Sequence, residues 1–141
     1  MIKAVFDTVV FVRSLINPYG RWGELVFKYP DKYQLFVSQP IVEEYLEVLH
    51  RPELTGKFKT LLALDLEKII ELVGQAPVVN ISTIASASRD QKDNKFLATA
   101  SSAGADYLVS EDKDLLDLKE YRGTKIISAL DFLYILDKTD H

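Results

Sequence analysis

The chain contains no cysteine. Disulfides, zinc–thiolate sites and cysteine nucleophiles are therefore excluded, and the absence fits a reducing cytoplasm. Histidine is nearly absent too. His50 lies at a helix end beside Arg51-Pro52, and His141 is the last residue. Neither suits a Ser–His–Asp triad. No GxxxxGK[ST] or GxGxxG loop is present, so a nucleotide cradle has no support. No apolar run approaches the ~20 residues of a membrane span, and Met1-Ile2-Lys3 leads straight into a strand pattern rather than a signal peptide. A cytoplasmic protein is expected. Positive charge is not in excess either: the formal net charge is -4, which argues against a broad phosphate-binding surface but not against an enzyme that meets phosphates through metal ions.

What is present is a composition able to build a core. Of the 141 residues, 48% are hydrophobic and 27% charged, which suits one folded domain over 1–141. Residues 3–6 read as a short buried strand. The segment 8–16 reads as a helix, although its β-branched content leaves a long strand as the alternative. Trp22, Leu25, Val26 and Tyr29 recur at helical spacing, predicting a second helix over 20–30. A strand over 34–37 precedes Ser38, which offers an N-cap, and Pro40, which suits a first helical turn; the helix ends near His50 before Pro52. Two helices are expected over 55–62 and 64–75, a short strand over 77–81 and a loop over 82–90. A helix over 91–103 stops at Gly104. Strands over 106–110 and 125–127 and a final helix over 129–137 complete the chain. Helices alternate with strands, so an α/β fold with parallel pairing through right-handed crossovers is predicted.

In such a sheet, side chains just past the carboxyl ends of strands converge in one crevice. Asp7 directly follows the first strand. Asp112 and Asp114 directly follow strand 106–110. Asp90 and Asp93 sit near a helix start, and Glu43, Glu44 and Glu47 surround the apolar stripe Ile41, Tyr45, Val48 and Leu49. Each acid has an ordinary explanation. Asp7, Asp90 or Asp93 could cap a helix, 110–114 could be a solvated turn, and the pattern does not choose among the glutamates. Taken together, carboxylates gathered at one edge repel one another unless a cation lies between them. That is the chemistry of a Mg²⁺ or Mn²⁺ site and of metal-assisted phosphodiester hydrolysis. Arg13, Arg21, Lys92, Lys95 and Lys113 lie on or near the segments expected to rim this edge.

Four blocks then form a resemblance. They are Val5-Phe6-Asp7-Thr8, the run Ser38 to Pro52 around Glu43-Glu44, the run Asp90 to Ala100, and the run Ala105 to Leu116. In this order and spacing the chain resembles the PIN-domain family, and within it the toxin components of prokaryotic toxin–antitoxin systems. The resemblance implies a three-layer α/β/α sandwich with a mostly parallel central sheet. It implies Mg²⁺- or Mn²⁺-dependent cleavage of RNA. It selects Asp7, Glu44, Asp93 and Asp112 as the metal-binding and catalytic acids, with Asp114 as a helper on the metal. It also implies a small antitoxin partner and a homodimer. One position departs from the pattern: the family's first motif reads Asp-Thr-Asn, and here it is Asp7-Thr8-Val9. Valine cannot supply the hydrogen bonds of the asparagine amide. Ser110 stands where threonine is common and keeps the hydroxyl.

Overall fold

The computed structural model describes residues 1–16, 20–51, 74–81 and 94–139. Expectations over 55–62, 64–73, 82–90 and 91–93 fall outside the described residues. Within them, β1 (Ile2–Phe6), α1 (Thr8–Ile16), α2 (Glu24–Phe27), β2 (Tyr33–Leu35) and α3 (Gln39–Leu49) come first. They are followed by α4 (Asn94–Ala103), β3 (Tyr107–Val109), α5 (Lys113–Leu116), β4 (Glu120–Tyr121), β5 (Thr124–Ile127) and α6 (Ala129–Lys138). The strands form one sheet in the order β2-β1-β3-β5-β4, with helices on both sides. All neighbours are parallel except the edge pair β4–β5.

The β-branched segment after Asp7 is helical because most of its apolar residues find cover, Val9 excepted. Val10, Phe11 and Leu15 are fully buried. Phe11 stacks on Tyr45 of α3, with ring centroids 4.0 Å apart, and an Asp7 carboxylate oxygen accepts the Val10 N–H at 2.9 Å to start the helix. On α6, the fully buried Phe132 meets Phe6, Tyr33 and Tyr107 at 5.5–5.9 Å between centroids, joining β1, β2 and β3 through one ring. Gly104 adopts φ +62 just past α4, and the Ala105 N–H returns to the Ala100 carbonyl at 2.9 Å, closing that helix with a Schellman turn.

Three expectations need correction. The helix over 20–30 is only Glu24–Phe27, because Gly20 and Gly23 leave turns on its N-terminal side and Tyr29-Pro30 breaks it on the other. Leu25, Val26 and Tyr29 are still buried, from turns as much as from helix. The strand over 34–37 shifts to Tyr33–Leu35, and Val37 makes only an isolated parallel bridge to Val78, the one paired residue of the strand expected over 77–81. Ser38 precedes α3 but makes no side-chain cap. Its hydroxyl instead accepts from Thr99 of α4 at 2.7 Å, fastening α3 to α4.

Candidate active site

The register places the acids. Phe6 pairs with Val109 and Val109 with Ile127, so the next residues, Asp7 and Ser110, emerge side by side. The Asp7 N–H donates to the Val109 carbonyl at 3.0 Å, and the Ser110 N–H to the Ile127 carbonyl at 2.9 Å. Strand β2 flanks β1 on one side and β3 on the other. The chain order therefore reverses between β1 and β3, and a crevice at their carboxyl ends is where open α/β sheets bind ligands. Asp7 and Ser110 sit in it.

Asp7 is only 5% exposed. One oxygen accepts from Val10; the other accepts the Ser110 hydroxyl and, at 3.3 Å, the Glu111 N–H. Burial raises its pKa above the usual carboxylate value. The bonds from Ser110, Val10 and Glu111 draw it back down without offsetting burial, and the Glu111 carboxylate adds to the rise. Ser110 is a bridge, since its oxygen also accepts the Asp112 N–H at 2.9 Å. The Asp112 carboxylate accepts the Asp114 N–H at 2.8 Å and caps α5. The capping role that the sequence left open for Asp7 is thus real, and Asp112, read there as part of a solvated turn, caps a helix as well. Capping consumes one oxygen contact and leaves carboxylate lone pairs for other partners.

Of the three glutamates on α3, Glu44 turns inward. It accepts the Thr8 hydroxyl and pairs with the Lys95 ammonium of α4. Glu43 accepts from Gln39, and Glu47 pairs with Arg51 on the exposed face. Tyr45, next along, donates its hydroxyl to the Phe6 carbonyl. Burial first, then the Asp7 and Glu44 charges, hold that phenol well above its ordinary value, so both acids act on one ring. Thr8, Tyr45 and Lys95 are therefore working neighbours of the acids. The spacing pattern gave Thr8 no role, and its position directly after Asp7 was the available signal. Glu111 was also unassigned; its carboxylate accepts the Ala129 N–H at 2.8 Å and ties the loop after β3 to α6.

Asp93 lies outside the described residues, one position before α4 begins. Among the described residues, no group of three or more His, Cys, Asp or Glu side chains is close enough to hold a metal ion, so Asp7, Glu44 and Asp112 do not form a ligand cluster in this structure. The donor chemistry fits Mg²⁺ or Mn²⁺. Asp7 with Ser110 and Glu44 with Thr8 offer carboxylate and hydroxyl oxygens as two separate pairs, and a buried Asp7 whose charge burial disfavours is the kind of group a hard cation stabilises. Of the basic residues expected at the rim, Lys95 is spent on Glu44, Lys113 pairs with Asp117 at 2.8 Å, and Lys92 is outside the described residues.

A family model described as PIN domain matches residues 3–114. An uncharacterized protein of Methanocaldococcus jannaschii, MJ1680, is 32% identical over 124 residues, covering 84% of this chain and 76% of that protein. The crystal structure of PAE2754 from Pyrobaculum aerophilum superposes with a TM-score of 0.57 over 98% of this chain and 91% of that one, at 14% identity, a likeness of fold.

Proposed function

The chain belongs to the PIN-domain family, a nuclease-type domain that typically uses divalent metal, and from that premise we propose that it is a Mg²⁺- or Mn²⁺-dependent endoribonuclease. The observation that carries this reading is Asp7: an acid 5% exposed, placed at the switch point of the sheet and tied through Ser110 to the backbone of Asp112. Asp7, Glu44, Asp93 and Asp112 would hold the metal, with Asp114 in support. Bound metal would supply Lewis-acid charge that activates water and stabilises the leaving oxygen of the phosphodiester. The chain's own part is positioning. Ser110 and the Val10 and Glu111 amides fix the Asp7 carboxylate, and Thr8 fixes that of Glu44. Lys95 can release Glu44 to a stronger cation. We further propose that the protein is the toxin of a toxin–antitoxin pair, a homodimer held in check by a small antitoxin protein; the four-block resemblance supports this.

The test is RNA cleavage in Mn²⁺ or Mg²⁺, repeated with EDTA. Cleavage that depends on metal is the expected result, and cleavage that survives EDTA would sink the metal-carboxylate mechanism.

A second reading is a PIN-like module that binds RNA or protein with weak or lost nuclease activity. Two observations favour it: Val9 replaces the family's asparagine and is 48% exposed, and Glu44 already has a cationic partner in Lys95. The two readings part at position 9. Restoring the amide with Val9→Asn should raise Mn²⁺ affinity or cleavage about 10–100-fold, the usual worth of a residue that orients metal ligands. Calorimetry showing no metal binding in either protein, with no cleavage of any RNA, would favour the binding module.

A further inference from the structure

Arg13 and Trp22 stand apart from the acid cluster. Arg13 lies six residues beyond Asp7 along α1, about 9 Å of helical rise. Its guanidinium sits 5.3 Å from the centre of the Trp22 ring. A cleft of about 270 Å³ opens there, lined by Arg13, Ile16, Gly20, Arg21 and Trp22. This is just below the roughly 300–1,000 Å³ of pockets for drug-sized ligands and suits one base with its sugar. The two arginines differ. Arg21 is fixed by Glu24 and Asp137, both at 2.5 Å, so its charge is answered. Arg13 is exposed and, among the described residues, has no carboxylate partner and rests on the indole. An uncompensated guanidinium on an aromatic ring, beside an apolar wall, in a chain of net charge -4, is an unusual concentration of groups that bind a phosphate and a flat ring.

We infer that this cleft is a subsite for single-stranded RNA: a base stacks against Trp22 and Ile16 while Arg13 takes a neighbouring phosphate. Arg21, held rigid by its two carboxylates, forms the wall. The subsite positions the strand so that a phosphodiester nearby along it reaches the crevice beside Asp7. This rests on the nuclease reading for its purpose but not for its evidence, because binding can be measured without cleavage.

Trp22 is the only tryptophan in the chain, so its fluorescence reports this cleft alone. In EDTA, titration with a short single-stranded oligouridylate should quench that fluorescence saturably, in step with the anisotropy of a labelled strand. Arg13→Gln should weaken binding and flatten the slope of log affinity against log salt by about 0.7, the loss of one phosphate contact on a single strand. Trp22→Leu keeps an apolar residue against the core and should weaken binding about ten- to hundredfold through lost stacking. Circular dichroism separates this from misfolding, and Arg13→Gln, at an exposed position, provides the arm free of that concern. Binding by anisotropy with unchanged Trp22 emission and unchanged affinity in Arg13→Gln would overturn the subsite, as would no binding at low salt. Wild-type cleavage in Mn²⁺ is scored separately. Cleavage with a silent Trp22 removes the subsite alone, and a Trp22 response without cleavage removes the nuclease reading alone.

Discussion

Asp7→Asn is expected to abolish metal-dependent RNA cleavage and, in EDTA, to gain stability relative to wild type as the pH rises. The activity loss should exceed the roughly 10–100-fold typical of a residue that merely orients a metal ligand, because Asp7 is itself proposed to bind the ion. The stability effect follows from burial. Desolvation raises the folded-state pKa of Asp7 above its ordinary carboxylate value despite three hydrogen bonds. A raised folded pKa means the folded protein holds this proton more tightly than the unfolded chain. The group's favourable contribution is therefore fully present below the unfolded value and is lost as pH climbs through the higher folded one. Asparagine is a good N-cap and carries no charge, so the difference in Tm between Asp7→Asn and wild type should grow from about pH 4 toward pH 8. Adding Mn²⁺ at pH 8 should then raise the Tm of wild type and leave Asp7→Asn unmoved, since only the ionised carboxylate binds the cation. A Tm difference that stays flat with pH would show that hydrogen bonding, not burial, governs this acid.

The prominence of Asp7 was legible in the sequence because its cause is local. A short apolar strand, then an acid, then an apolar helix puts a carboxylate at a strand end whatever the rest of the chain does. Asp112 follows from the same logic on β3. Glu44 was not legible from the residues, because Glu43, Glu44 and Glu47 are all compatible with the stripe of Ile41 and Tyr45; what separates them is Thr8 and Lys95, brought in from other elements. The family resemblance named Glu44, and the geometry gives it those two partners.

The elements show the same division. Segment 8–16 could be read as a helix or as a long strand, and the contact that favours helix, Phe11 on Tyr45 of α3, comes from a distant part of the chain. The edge strand β4 escaped the reading. It has two residues, and its hairpin turns through Arg122 at φ 49 and Gly123 at φ 88, the double positive φ of a type I′ turn. That turn is normally signalled by Asn-Gly or Asp-Gly, and arginine in the first position hides it. The helix over 20–30 was over-extended for the opposite reason: apolar residues at helical spacing bury equally well from turns, and the glycines that interrupt it carried the missing information.

Phe132→Ala is expected to be the most destabilising single change in the described core. The ring is fully buried and packs on Phe6, Tyr33 and Tyr107, so its removal opens a void facing three strands. Phenylalanine-to-alanine changes at such positions cost about 3–5 kcal/mol, against total stabilities of about 5–15 kcal/mol. For a chain of this size that corresponds to a fall of about 10–20 °C in Tm. Alanine favours helix, so α6 itself should persist, and the loss belongs to packing. Phe132→Leu keeps most of the apolar volume and should lose less. The site should respond differently. Phe132 lies under the sheet, whereas the acids stand beyond its carboxyl edge, held by Val10, Ser110, Thr8 and Lys95. Below its lowered Tm, Phe132→Ala should therefore still show a Mn²⁺-induced rise in Tm, the response that Asp7→Asn lacks while keeping its fold. If Phe132→Ala abolished the Mn²⁺ response in the cold, folded protein, the core beneath β1 and the acids above it would have to be one unit rather than two.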